Sequence, residues 1–219
     1  MKLKLVYLAL ISLMLPIGLY AQRVEVSPYA GGFWPMKNDT LGKFKSEGLY
    51  GIKAGGFVGS KFEIGANLGY MNHFNPSNDI ATANAIAGVS NQSIRSLIWE
   101  GTADYNFNTH NFMGRAVTPY VSGSLGGMTA FIANDGGSAV FTGGTRIHDG
   151  APVARNTLVL DNKDSFLTFS YGGGVKALQL WGPVGLRADV RGRTLPNFFG
   201  RGLTWAEATG GLTFSWGER

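Results

Sequence analysis

Three histidines, His73, His110 and His148, are the side chains of this 219-residue chain best suited to general-base work near neutral pH, and there is no cysteine. Hydrolysis or acyl transfer would need one of them beside a Ser or Asp. His73, with Asn72 and Asn75 close by, is the sole credible base; His110 falls in a turn and His148 in a long loop. Neither a Gly-x-Ser-x-Gly elbow nor a His-x-Ser pair occurs. Three scattered histidines without cysteines do not make a metal centre. A single His at a rim reads as a solvated polar residue, so no catalytic residue, cofactor or metal is expected.

The other reactive residue types are charged, and their spacing is more telling. Glu25, Glu63, Glu100, Asp104, Asp189 and Glu207 can be set against Lys53, Lys176, Arg187, Arg191 and Arg193. Paired carboxylates can run acid–base catalysis, but opposed charges confined in a narrow interior must pair with one another to tolerate desolvation. The network is the expected reading.

What must position these charges is period two. From Phe62 to Tyr70, Phe, Ile, Ala, Leu and Tyr alternate with Glu, Gly, Asn and Gly. Leu97 to Phe107, Val184 to Arg191 and Ala206 to Trp216 repeat the pattern, and the charges keep to one parity. Alternation marks a strand with two unlike faces. These runs exceed the roughly five or six residues usual for soluble strands. A membrane barrel is apolar outside and polar inside, with strands of about ten residues, and a Lys or Arg facing lipid at mid-depth costs about 2–4 kcal/mol.

Eight such strands are expected, at 23–34, 48–59, 61–73, 96–107, 118–129, 165–178, 183–193 and 204–216. The intervening gaps alternate between long, about 13, 22, 35 and 10 residues, and short, about 1, 10 and 4. Long outer loops and short periplasmic turns sort in this way in outer-membrane barrels. The fold class is therefore an all-β, eight-stranded antiparallel up-and-down transmembrane barrel. Tyr70 and Trp99 would lie at the outer interface, with Phe62, Tyr105, Phe107 and Trp216 at the inner one. Gly65, Gly69, Gly172 and Gly174 would leave room for long side chains in the lumen. An Ala-rich segment over 79–94 is expected as a short surface helix. Ser138 to Thr142, Gly143-Gly144 and Thr145 to Ile147 read as a hairpin with a Gly-Gly turn.

Composition agrees with export. Lys2 and Lys4 precede an apolar run from Leu5 to Leu15, then Pro16, Gly18 and Leu19-Tyr20-Ala21, the order of a secretory signal peptide. Residues 1–21 are expected to be removed, leaving 22–219 as the barrel domain. The run is short of the about 20 apolar residues a spanning helix needs, and none of that length follows. Without the leader lysines, 17 basic residues face 14 acidic ones, and no basic run interleaved with aromatics points to nucleic acid.

Val26-Ser27-Pro28-Tyr29-Ala30-Gly31-Gly32-Phe33, Val184 to Arg191 and the last strand give the chain its resemblance to the eight-stranded outer-membrane β-barrel family of the OmpX and OmpA transmembrane-domain type. Thr209-Gly210-Gly211-Leu212-Thr213-Phe214-Ser215-Trp216 resembles the C-terminal signal read by barrel-assembly machinery, with Thr209, Gly211, Phe214 and Trp216 at its defined positions. Gly217-Glu218-Arg219 follow Trp216, where the family often ends on the aromatic.

The resemblance implies a non-enzymatic, monomeric, porin-like or adhesive protein of a Gram-negative outer membrane, both termini periplasmic, without a cofactor. Its partners would be outer-membrane lipids, lipopolysaccharide, the assembly machinery and a surface ligand of the loops. The alternatives are a lipid-modifying enzyme using His73, a small pore gated by the Arg and Glu network, and a soluble barrel with a ligand in its lumen.

Overall fold

The computed structural model describes residues 23–36, 44–75, 93–132, 138–142, 145–148, 151–154, 157–198 and 201–217. The leader expected over 1–21 and most of the helix expected over 79–94 lie outside the described residues.

Among the described residues there are thirteen strands: β1 (Arg23–Pro35), β2 (Glu47–Val58), β3 (Phe62–Met71), β4 (Ile94–Asn106), β5 (His110–Phe112), β6 (Arg115–Ile132), β7 (Ser138–Thr142), β8 (Thr145–His148), β9 (Ala151–Ala154), β10 (Thr157–Asp161), β11 (Ser165–Trp181), β12 (Val184–Phe198) and β13 (Arg201–Gly217). Eight of them, β1 to β4, β6 and β11 to β13, pair antiparallel with their neighbours, and β6 with β11 completes the ring. The first and last barrel strands pair directly, Val24 opposite Trp216 and Trp34 opposite Ala206. The result is a closed eight-stranded antiparallel barrel.

The two parities of each strand separate sharply. In β4, Ser96, Ile98, Glu100, Thr102, Asp104 and Asn106 are buried, whereas Leu97, Trp99, Gly101, Ala103 and Tyr105 are not. Val190 is 66% exposed and its neighbour on the other parity, Arg191, only 6%. Large apolar side chains outside and ions inside are the reverse of a water-soluble protein. No helix among the described residues is long and apolar enough to cross a membrane.

At the end of the barrel carrying Arg23 and Gly217 the connections are tight, with Gly59, Met113, Gly114 and Gly182 at positive φ. Phe112 pairs with Arg115 across Met113-Gly114, so β5 and β6 form a two-residue hairpin where the sequence suggested a plain turn containing His110. Aromatics mark both levels: Tyr50 against Tyr70 (5.3 Å) toward the other end, Phe62 against Tyr105 (5.1 Å) and Tyr105 against Phe107 (5.3 Å) at this one.

The long segment between β6 and β11 corrects the Gly-Gly hairpin. β7 does not pair with β8. It pairs with β10, while β8 pairs with β9 up to His148 opposite Ala151. The direct β7–β8 hairpin expected across Gly143-Gly144 is therefore not formed, and residues 149–150 lie outside the described residues.

Candidate functional site

Among the described residues, charged side chains converge in the lumen. Inward positions of β1 to β4 and β11 to β13 deliver them, because alternate residues of a strand point the same way. Nearest the chain termini, Arg23 Nη2 lies 2.9 Å from Glu25 Oε1, and Lys176 Nζ lies 3.0 Å from Glu25 Oε2 and also pairs with Glu63. Lys176 on β11 thereby ties β1 and β3, each three strands away around the wall. The Arg23 guanidinium sits 3.8 Å from the Phe57 ring centroid.

One layer further along, Asp104 accepts from Lys53 Nζ (2.7 Å), Arg187 Nη2 (3.1 Å) and Ser122 Oγ (2.7 Å). Arg187 Nε also donates to Asp189 Oδ2 at 3.0 Å, Arg191 Nη2 to Asp189 Oδ1 at 2.9 Å, and the Tyr120 hydroxyl to Asp189. Arg193 forms the third layer, with Nε 2.6 Å and Nη2 3.2 Å from the two Glu207 oxygens and Nη1 on Glu100. Asn67 Nδ2 donates to Glu100 Oε2 at 3.1 Å, and Asn67 Oδ1 accepts from the Tyr29 hydroxyl at 2.9 Å.

All eleven charged residues singled out from the sequence are buried here, and each has an ion-pair partner. Arg23 was missed, although it shares the parity of Glu25. With it, six cations face six carboxylates. Glycines provide the space: a Cβ at Gly174 would meet the Tyr120 hydroxyl at 2.7 Å, and one at Gly69 the Tyr29 hydroxyl at 2.9 Å.

Beyond Arg193 the lumen changes character. Phe33, Phe44, Leu49, Met71, Phe74, Ile98, Met128, Leu195, Phe198 and Trp205 form one buried apolar cluster at the long-loop end. Phe44 and Phe74 stack at 4.5 Å, Phe44 meets Phe198 edge-on at 5.9 Å, and Phe166 lies 4.9 Å from Phe198. Two of these rings come from loops held across the mouth, where Lys45 N donates to Asn75 O (3.0 Å) and Phe74 N to Ile94 O (2.8 Å). A purely polar lumen does not describe this end. The signal was legible as large apolar residues on the inward parity of strand ends, at Phe33, Leu49, Met71, Ile98 and Trp205.

The candidate base stands apart. His73 is exposed, and the Asn75 side chain is engaged by Ile94 N at 3.2 Å. His110 lies on β5 and His148 on β8. Among the described residues no group of three His, Cys, Asp or Glu could hold a metal ion. The proposed assembly-signal residues all fall on β13, with Thr209 and Gly211 on the inward parity and Phe214 and Trp216 outward, their rings 6.2 Å apart.

No protein-family model matches the chain, and no curated protein does. Solved structures do. Neisserial surface protein A is 13% identical, with 89% of this chain and 97% of that one covered at a TM-score of 0.53. The outer membrane protein OprG of Pseudomonas aeruginosa is 10% identical, covering 91% and 98% at 0.53. Identities this low speak for the fold alone: the chain has the fold of the eight-stranded outer-membrane β-barrels.

Proposed function

We propose that this protein is a non-enzymatic, monomeric outer-membrane barrel with both chain ends on the periplasmic side and residues 1–21 removed on export. Its work is to form a rigid wall element and to present its long loops to lipopolysaccharide or to the surfaces of other cells. One observation carries this reading: among the described residues, ion pairs join opposite walls of the lumen and a buried aromatic cluster lies above them, inside a wall whose outward face is apolar. Eight strands leave an interior about as wide as its own side chains. Pairing that links opposite walls would narrow that interior further against solutes. Loops on a rigid scaffold are where recognition concentrates. Thr209, Gly211, Phe214 and Trp216 on the closing strand would be read by the assembly machinery.

The test combines fractionation with gel mobility. The mature protein is expected in the outer-membrane pellet, migrating faster unboiled than boiled. Planar bilayers containing it should show no sustained conductance, and its deletion should leave lipid A unchanged. A soluble protein of single mobility would overturn the membrane reading. Discrete channel openings would overturn the filled-lumen reading, and a lipid A change lost with His73→Ala would make it an enzyme.

A further inference from the structure

On the outward face of β6, β11, β12 and β13, near the end that carries the chain termini, lies an apolar groove of about 570 Å³. Ala177, Ala188 and Gly210 make its floor, and Phe112, Val117 and Leu212 rise around it. Phe112 comes from the β5–β6 hairpin, whose geometry sets what lies beside the groove. His110 is the cross-strand partner of Val117, and Phe112 of Arg115. Directly opposed residues on antiparallel strands project to the same face. His110 and Arg115 therefore share the face of the groove, and Arg115 stands one outward position beyond Val117 toward the barrel rim.

The placement of charge is selective. Among the described residues on the outward parity of the eight barrel strands, the charged ones are Arg95, at the long-loop end of β4, and Arg115, at the short-turn end of β6. An apolar channel that runs into an arginine and a histidine at the membrane edge matches the layout of an acyl chain ending in a phosphate. Guanidinium and imidazole N–H groups donate charge-assisted hydrogen bonds to phosphate oxygens.

We propose that this groove is a binding site for one glycerophospholipid of the periplasmic leaflet, its acyl chain on Ala177, Ala188 and Gly210 and its phosphate between His110 and Arg115. The inference rests on the membrane reading given above.

The probe is phosphatidylglycerol, titrated into the mature protein in mild detergent and counted by native mass spectrometry. One tightly held lipid is expected. Ala188→Leu, which fills the floor, should weaken retention at least ten-fold. Arg115→Gln should abolish any preference for phosphatidylglycerol over an uncharged diacylglycerol. Ala66→Leu, an outward position on β3 four strands from β12, should leave retention unchanged. Equal retention by wild type and Ala188→Leu would overturn the site, as would a dimer held through this face and broken by the same substitution. Heat-modifiable mobility keeps the two readings apart: if it persists while lipid retention fails, only the groove proposal falls.

Discussion

The Trp205 indole donates a 2.6 Å hydrogen bond to Glu207 Oε1, the same oxygen that Arg193 Nε approaches at 2.6 Å. Its ring meanwhile lies 6.3 Å from Phe33 and 6.1 Å from Phe74. One side chain therefore joins the ionic part of the lumen to the aromatic part. An indole suits such a boundary, since it offers a large apolar body with a single donor.

Trp205→Ala should cost about 3–5 kcal/mol, the range for removing a fully buried aromatic. Trp205→Phe keeps much of the packing and should cost nearer the about 1.5–3 kcal/mol of a hydrogen bond to a charged group. Urea midpoints of the vesicle-inserted protein, read from the unboiled gel band, will rank the two. Equal losses would mean that the hydrogen bond matters little.

Lys176→Met removes the cation shared by Glu25 and Glu63. Glu25 keeps Arg23, but Glu63 loses its only ion-pair partner among the described residues. A loss of about 3–5 kcal/mol is expected from the stranded buried charge. Adding Glu63→Gln should restore most of it, because a neutral amide no longer needs the cation. The same denaturation series measures both steps, and a double variant no better than the single one would refute the pairing argument.

On the outer wall, Val190→Arg should cost about 2–4 kcal/mol in a lipid bilayer. In detergent solution, where the micelle deforms around the charge, the penalty should shrink. Similar values in both media would argue against lipid contact at this position.

The β8–β9 pair gives a marker of sidedness. An epitope inserted after His148, the last paired residue of β8, should leave the barrel folded, since β8 and β9 form a two-stranded sheet separate from the barrel. Antibody should label it on intact cells. Labelling that requires a permeabilised outer membrane would invert the proposed orientation.

Most of the wall was legible from residue order alone, because lipid and lumen demand opposite residue types at every second position. The Glu63–Tyr70 and Leu97–Phe107 stretches have one reading only. Two features were harder. The aromatic plug depends on loop residues such as Phe44 and Phe74, whose inward course follows from chain closure across the mouth and not from any period. Between β6 and β11, the Gly143-Gly144 dipeptide suggested a hairpin joining β7 directly to β8. The pairing of β7 with β10 and of β8 with β9 excludes that arrangement. Charge partners were likewise hidden: parity places Lys176 in the lumen, but which carboxylates it meets is decided by neighbours three strands away.

The direct pairing of β1 with β13 has a kinetic consequence. Arg23 finds Gly217, and Val24 finds Trp216, only after nearly the whole described chain has been made. Contacts of such long sequence separation are slow to form, and unpaired strand edges invite aggregation in the interval. The half-made barrel has two open edges and a charged interior still exposed, so folding has little reason to proceed stepwise from the N-terminus. Closure must arrive late and cooperatively, which makes the time spent unfolded before insertion the vulnerable period in this protein's life.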